Sequence, residues 1–311
     1  MNSQVRYLHI AIAFDQNYLQ PFYALLSSLL LNRAGTAYHI HLIASGVEQK
    51  EREGIRSCIE QNQGAASFYT IDESLVRGFV LLSNWTSTVY YRLFFPFLVP
   101  KTIDRLLYLD ADTIVLKDLT SLFESDIENF PLGAVYDNYV KIQARLNITE
   151  EGEYFNSGVL LFDLKKWREQ KISEQAFDYL TRHPQNILFV DQCALNAVLF
   201  KNWKKLPLKY NVLYSYVPES MSKSEFKKFL ADKVIIHYTL HRPWNMLSKN
   251  RLGYLYHYYL RKSPLYKGFI SYTDFSIGKI LPFLKLKFIN AYLDSPFLVK
   301  VVQRMKKDIA N

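Results

Sequence analysis

The chain has 311 residues, 49% of them hydrophobic, and a formal net charge of +9; a chain of that length buries about three-quarters of its unfolded surface, which excludes a scaffold that depends on staples. Its two cysteines, Cys58 and Cys193, lie far apart, which excludes a disulfide framework and fits a reducing compartment. The charge is uneven: residues 1–240 hold 25 Lys and Arg against 26 acids, and residues 241–311 hold 13 against 3, so the whole excess sits in a basic tail.

The first residues, "MNSQVRYLHIAIAFD", lack the apolar region and small-residue cleavage site of a secretory signal. No run of ~18 apolar residues predicts a membrane span. Residues 7–14, "YLHIAIAF", predict a buried strand, and "PFYALLSSLLLNRAG" a helix with Pro21 early and Gly35 at its end. "HIHLIAS" predicts a second strand, residues 48–62 a charged amphipathic helix, and "ASFYTI" a third strand. This alternation is the signature of a parallel sheet in an α/β fold. Ligands in such sheets sit beyond the carboxyl ends of the strands. Asp15, Asn17 and Tyr18 fall at one such end, and Asp110 and Asp112 at another. Neither G-x-G-x-x-G nor a Walker sequence occurs, so no Gly-rich loop is present to cradle phosphates.

Residues 105–116, "RLLYLDADTIVL", place two carboxylates in an otherwise apolar run. In an extended segment residues i and i+2 point the same way, so the pair repels unless a cation lies between. Oxygen ligands suit Mg²⁺ or Mn²⁺; the alternative is a pair of turn-capping aspartates. Two patterns fit. "DADT" matches the D-x-D-x-T of haloacid-dehalogenase-like phosphatases, with Asp110 as nucleophile and Asp112 as acid/base, but that motif normally follows a chain's first strand. The other is the D-x-D of nucleotide-sugar glycosyltransferases.

The surrounding blocks decide between them: "AFDQNY" at 13–18, "STVYYRLFFPFLVPKTIDRLLYLDADTIVLKDLTSLF" at 87–123, "YFNSGVLLFDLKKWRE" at 154–169, "FVDQCALNAVL" at 189–199 and "VIIHYTLHRPWN" at 234–245. Together these resemble the retaining glycosyltransferases of family 8, the galactosyl- and glucosyltransferases that include bacterial lipopolysaccharide enzymes. The resemblance implies a GT-A type fold, a Rossmann-like mixed sheet flanked by helices, forming a nucleotide-sugar-binding catalytic domain over residues 1–245. Residues 246–311 follow as a basic, aromatic-rich helical region.

The resemblance also implies residue roles. Ala13, Asp15, Asn17 and Tyr18 would surround the uracil and ribose, with Asp15 or Asn17 serving additionally as a helix cap. Arg92 would grip the donor; without the family it reads as a snorkelling surface residue. Asp110, Ala111 and Asp112 would lie at the diphosphate, and Asp110, Asp112 and His237 would ligate Mn²⁺ or Mg²⁺. The three are expected to converge from one parallel sheet; a lone His after a strand otherwise reads as a core residue. Asn156, Asp191 and Gln192 would contact the donor sugar, with Asp191 and Gln192 positioning it for catalysis. Asp137 would lie near the acceptor, and Asp163 reads as a helix cap. The family commonly has His-Tyr-x-Gly-x-x-Lys-Pro-Trp where this chain has His-Tyr-Thr-Leu-His-Arg-Pro-Trp. Arg242 therefore replaces a Lys in a loop one residue shorter, a planar fork instead of a point charge.

The implied reaction moves glucose or galactose from its UDP-sugar to a hydroxyl of a glycan or glycolipid, such as lipopolysaccharide or capsule, with retention. Gln192 stands where a double displacement would need a carboxylate nucleophile, so same-face attack is the expected route. A phosphatase, and an inactive sugar-binding protein, are the competing readings. The first needs a further acidic pair that the sequence does not offer; the second needs a lost motif residue, and none is lost.

The tail interleaves aromatics and cations, as in "YLYHYYLRKSPLYKGF". Such a pattern suits an anionic membrane surface, each cation adding about 1 kcal/mol near an anionic leaflet. A core-packed helix pair with a solvated basic face is the alternative. No nucleic-acid motif accompanies the charge. The expected location is the cytoplasm, peripheral on the inner face of the membrane; oligomeric state is not legible.

Overall fold

The computed structural model describes residues 7–81, 85–218, 221–274, 276–295, 297–298 and 300–301. Strands are β1 (Tyr7–Asp15), β2 (Ala37–Ser45), β3 (Ala65–Tyr69), β4 (Arg105–Leu109), β5 (Thr113–Val115), β6 (Leu132–Tyr136), β7 (Phe155–Asp163), β8 (Lys204–Lys205), β9 (Val212–Leu213) and β10 (Ile235–His237). Helices are α1 (Leu19–Leu31), α2 (Gln49–Gln61), α3 (Phe95–Leu98), α4 (Thr120–Phe123), α5 (Leu164–Glu169), α6 (Ile172–Arg182), α7 (Val190–Val198), α8 (Lys223–Leu230), α9 (Gly253–Lys262) and α10 (Ile280–Leu293).

Seven strands form the central sheet in the order β3-β2-β1-β4-β7-β6-β8. β1 is parallel to β2 and β4, and β2 to β3, as the first alternations predict. β7 runs antiparallel to both β4 and β6, which makes the sheet mixed. Both faces of the sheet are covered, so β1 is apolar nearly throughout instead of alternating. Ile10, Ile12 and Phe14 pack with Phe22, Leu25, Leu26 and Leu29 of α1. Ala11 and Ala13 face the opposite layer, which holds Tyr90, Tyr91, Tyr108 and Trp167.

Pro21 sits in the first turn of α1, where a missing N–H costs nothing. Asn32 closes the helix: its side-chain amide donates to the Ser28 carbonyl at 3.0 Å, the Val115 carbonyl at 2.9 Å and the Tyr259 hydroxyl at 2.8 Å. One side chain thus ties α1, β5 and α9 together. Asp163 caps α5, as expected, by accepting from the Lys166 N–H at 2.9 Å.

Asp110 and Asp112 depart from the expected geometry. They do not share one extended segment: residues 110–112 form a tight turn between β4 and β5. The Thr113 hydroxyl and N–H both return to the Asp110 carbonyl, at 2.8 and 3.2 Å. Nor does His237 belong to the central sheet. It ends β10 in a separate three-stranded sheet, β5-β10-β9, where it faces Thr113 in antiparallel register. The turn, not strand periodicity, brings the two carboxylates together.

The chain after residue 245 divides. Tyr256, Tyr259 and Leu260 of α9 are buried in the same core as β1 and α1, and α9 packs along α1. By contrast α10 has no buried residue.

Candidate active site

Beyond the carboxyl ends of β1 and β4 lies a cavity of about 590 Å³. Every site residue expected from the sequence lines it: Ala13, Asp15, Asn17, Tyr18, Arg92, Asp110, Ala111, Asp112, Asp137, Asn156, Asp191, Gln192, His237 and Arg242. That volume is typical of a small-molecule site.

On the β1 side, Asp15 is held on both oxygens. Its Oδ1 accepts from the N–H groups of Asn17 and Tyr18 at 2.9 and 3.3 Å, and its Oδ2 accepts from the Thr86 hydroxyl at 2.8 Å. The cap expected of Asp15 is present, and it presents Asn17 and Tyr18 to the cavity. The Arg242 guanidinium lies 5.5 Å from the centre of the Tyr18 ring, and Trp244 meets the same ring edge-on at 5.7 Å.

At the centre are Asp110, Asp112 and His237, whose ligand atoms all lie within 4.8 Å of one another. His237 Nε2 stands 3.1 Å from Asp112 Oδ1 and 3.7 Å from Asp110 Oδ2. Burial opposes charge on the imidazole, but Asp112 outweighs it and the His237 pKa is raised. The other ring nitrogen, Nδ1, is 3.1 Å from Asn211 Oδ1. A proton on Nδ1 donated to Asn211 leaves the Nε2 lone pair aimed at the two carboxylates, the arrangement of a metal-ligating imidazole.

Gly158 is the floor of this cluster. A Cβ there would lie 2.1 Å from His237 Cε1 and 2.7 Å from Asp110 Oδ2, so no larger residue fits without displacing a ligand. The "NSG" triplet held that information, but only the fold shows what the missing side chain makes room for.

Arg92 is buried, not a surface residue. Its guanidinium pairs with Asp110 Oδ1 and Asp191 Oδ2, each at 3.0 Å, donates to the Ser157 carbonyl, and covers the Tyr108 ring at 4.7 Å. The Asp191 contact is an ion pair without hydrogen-bond alignment, because Oδ2 has no donor. Burial accordingly pushes the Asp191 pKa up to about 6 despite the Arg92 charge. Val190, whose φ is +36°, opens α7, and Asp191 and Gln192 follow it in the first turn. A β-branched residue in that region is strained, at a cost of order 1–3 kcal/mol.

Gln192 is the hub of the sugar-side network. Its Oε1 accepts from Asn156 Nδ2 at 3.1 Å and the Ser157 N–H at 3.0 Å, and its Nε2 donates to Asp137 Oδ2 at 3.2 Å. Asn156 Nδ2 also reaches Asp137 Oδ2 at 3.2 Å. Asn211 Nδ2 donates to Asn156 Oδ1 at 2.9 Å, so one chain of amides links His237 to Gln192 and Asp137. Asn211, Gly158, Ser157, Thr86 and Tyr108, whose hydroxyl donates to Asp110 Oδ1 at 2.8 Å, were missed by sequence reasoning. Each is one small or polar residue whose partner lies elsewhere in the chain or, for Tyr108, on the next turn.

The donor set also fits a divalent cation on electrostatic grounds. Six aspartates line the cavity, Asp15, Asp110, Asp112, Asp137, Asp191 and Asp274, against two guanidiniums, Arg92 and Arg242. An anionic ligand enters such a wall only if a further cation offsets it. Two carboxylates and one imidazole within 4.8 Å are the ligands that Mn²⁺ or Mg²⁺ accepts while keeping positions open. The phosphatase reading fares worse, because Asp110 Oδ1 is already engaged by Arg92 and the Tyr108 hydroxyl.

Known proteins share this architecture. The sequence model of the family described as "Glycosyl transferase family 8" matches residues 9–248. A lipopolysaccharide 1,2-glucosyltransferase of Escherichia coli (strain K12) is 31% identical over 246 residues, 76% of this chain and 73% of that protein. General stress protein A of Bacillus subtilis (strain 168) is 27% identical over 266 residues, 81% of this chain and 93% of that protein. Among solved structures, the galactosyltransferase LgtC in complex with donor and acceptor sugar analogs superposes with a TM-score of 0.72 at 23% identity, covering 88% of this chain and 100% of LgtC. That likeness shows the GT-A fold.

Proposed function

This chain belongs to glycosyltransferase family 8, and from that premise we propose that it transfers glucose or galactose from a UDP-sugar to a glycan or glycolipid hydroxyl, retaining the anomeric configuration. Glycosyltransferase activity follows from the family; the donor, stereochemistry and acceptor are the proposal. The observation that carries it is the convergence of Asp110, Asp112 and His237 beside Arg92 and Arg242 in one 590 Å³ cavity. The nucleoside would rest against Ala13, Asp15, Asn17 and Tyr18. Asp110, Asp112 and His237 would hold Mn²⁺ or Mg²⁺, which when bound would offset the charge that develops on the departing diphosphate. Arg242 would add a second positive group on the diphosphate's outer side.

The protein's own side chains do the rest. Arg92 fixes Asp110 and Asp191 at 3.0 Å each, so the two carboxylates hold their places as the donor enters. Gln192, Asn156 and Asp137, bonded to one another, present amide and carboxylate groups to sugar hydroxyls. Gln192 is an amide and a poor nucleophile, which favours attack on the face the diphosphate leaves, with a donor oxygen taking the acceptor proton. Asp137, at the outer end of this network, would face the acceptor.

The acceptor reading rests on α10. Leu281, Leu284 and Phe288 are 76%, 56% and 73% exposed, and Lys285 and Lys287 are exposed beside them. Fourteen residues span about 21 Å, and no described helix is long and apolar enough to cross a membrane. An exposed apolar helix carrying lysines suits the interface of an anionic leaflet. We therefore place the chain peripherally on the cytoplasmic face of the membrane, near a lipid-linked acceptor. Arg304, Lys306 and Lys307 of the basic tail lie outside the described residues. The name of the Escherichia coli relative, a lipopolysaccharide enzyme, supports a cell-surface polysaccharide of the lipopolysaccharide or capsule kind. Hydrolysis of a panel of UDP-hexoses without acceptor, with Mn²⁺ and with EDTA, tests the reading: release of UDP from UDP-glucose or UDP-galactose with Mn²⁺ alone is expected. Release from neither would reject it.

A further inference from the structure

Outside the lining of this cavity, His9, His39 and His41 bring three imidazoles together on one face of the central sheet. β1 and β2 are parallel, with His9 opposite His39 and Ala11 opposite His41. Residues two apart on a strand share a face, so the three rings project together. One ligand atom from each lies within 4.8 Å of the other two. His9 Nδ1 and His41 Nε2 are 3.0 Å apart, and the rings of His39 and His41 stack at 4.2 Å. The nitrogens turned away from the cluster are held by β3: His39 Nε2 is 2.8 Å from Ser67 Oγ, and His41 Nδ1 is 2.8 Å from the Tyr69 hydroxyl.

We propose that this cluster is a second metal site, selective for Zn²⁺, with His9 Nδ1, His39 Nδ1 and His41 Nε2 as ligands and water in the fourth position. Three nitrogens suit Zn²⁺, which the oxygen-preferring Mg²⁺ and Mn²⁺ do not match. Tetrahedral bonds of about 2.0–2.1 Å place ligand nitrogens roughly 3.3 Å apart, close to the spacing of His9 and His41. Ser67 and Tyr69 fix ring orientation through the outward nitrogens of His39 and His41, as outer partners do in zinc sites.

His9 precedes Asp15 by six residues on β1, about 20 Å at 3.3 Å per residue. An ion there clips β1 to β2 at the end remote from the active site and takes no part in transfer. This proposal does not rest on the glycosyltransferase reading.

The test is equilibrium dialysis of the full chain against Zn²⁺ in an Asp112→Asn background, which disables the other cluster. One equivalent of Zn²⁺ is expected to remain bound. Adding His9→Ala or His39→Ala, both at partly exposed positions, should weaken that binding by more than about a hundredfold, and Tyr69→Phe by roughly ten- to a hundredfold. Zn²⁺ should raise the Tm of the Asp112→Asn chain and leave the His9→Ala derivative unmoved. Two results overturn the site: no Zn²⁺ bound by Asp112→Asn protein whose circular dichroism matches wild type, or binding that survives both histidine substitutions.

Discussion

Asn211 Oδ1 sits 3.1 Å from His237 Nδ1, and both side chains are buried. Asn211 decides which nitrogen of His237 carries the proton, and hence which lone pair faces Asp110 and Asp112. Asn211→Leu, similar in volume but without an acceptor, should weaken Mn²⁺ binding roughly ten- to a hundredfold while the chain stays folded. Electron paramagnetic resonance titration of free Mn²⁺ reads this directly. Unchanged affinity would show that the ring is oriented without Asn211.

Gly158→Ala is the steric counterpart. A methyl group 2.1 Å from His237 Cε1 forces the imidazole or the backbone of β7 to move. Misplacing a group by about 1 Å costs on the order of a hundredfold in rate, so transfer should fall by at least that much. A variant with wild-type turnover would mean that the ligands have more room than this geometry allows.

Asp191 gives a pH signature in stability. Its folded pKa, raised by burial to about 6, lies above the roughly 3.9 of an unfolded aspartate. Between those values the folded chain holds the proton that the unfolded chain has released. The contribution is therefore complete below about pH 4 and lost as pH rises through 6, to a limit of about 3 kcal/mol. Urea unfolding of wild type and Asp191→Asn from pH 4 to 7.5 should show wild type losing ground to the variant across that window. A constant difference would mean that Asp191 is ionised throughout.

α10 should carry membrane binding by itself. A chain ending at residue 276 keeps α9 and its packing on α1, whereas one ending before Gly253 would open the core around Tyr256 and Leu260. The full chain should float with anionic liposomes and less with neutral ones, and the chain ending at 276 with neither. The combined substitution Leu281→Ser, Leu284→Ser, Phe288→Ser should behave like the shortened chain. Equal flotation of all three proteins would move the contact elsewhere.

Much of the candidate site was legible in the sequence because family-like blocks carry it, and the donor-side and metal-side residues drawn from those blocks line one cavity. The local geometry was less legible. Strand periodicity put Asp110 and Asp112 on one face, whereas a turn closed by Thr113 brings them together. His237 was expected in the central sheet because an apolar run precedes it, but β10 pairs with the short strand that follows that turn. The network residues stayed hidden for a further reason. Asn211 acts through Asn156, 55 residues away, and no period or spacing in one sequence encodes such a pairing. The charge boundary near residue 245 was real in the sequence, yet packing ignores it, because aromatic residues of α9 bury themselves under the same surface that bears Arg261 and Lys262.

The most direct test is turnover of UDP-glucose and UDP-galactose by the purified chain with a sugar acceptor, followed by proton NMR of the product. With Mn²⁺ an α-linked product from an α-configured donor is expected. EDTA should abolish the product, and Asp110→Asn should abolish it in a protein that remains folded. A β-linked product, or full activity in EDTA, would contradict the assignment of Asp110, Asp112 and His237 to a metal-assisted retaining transfer.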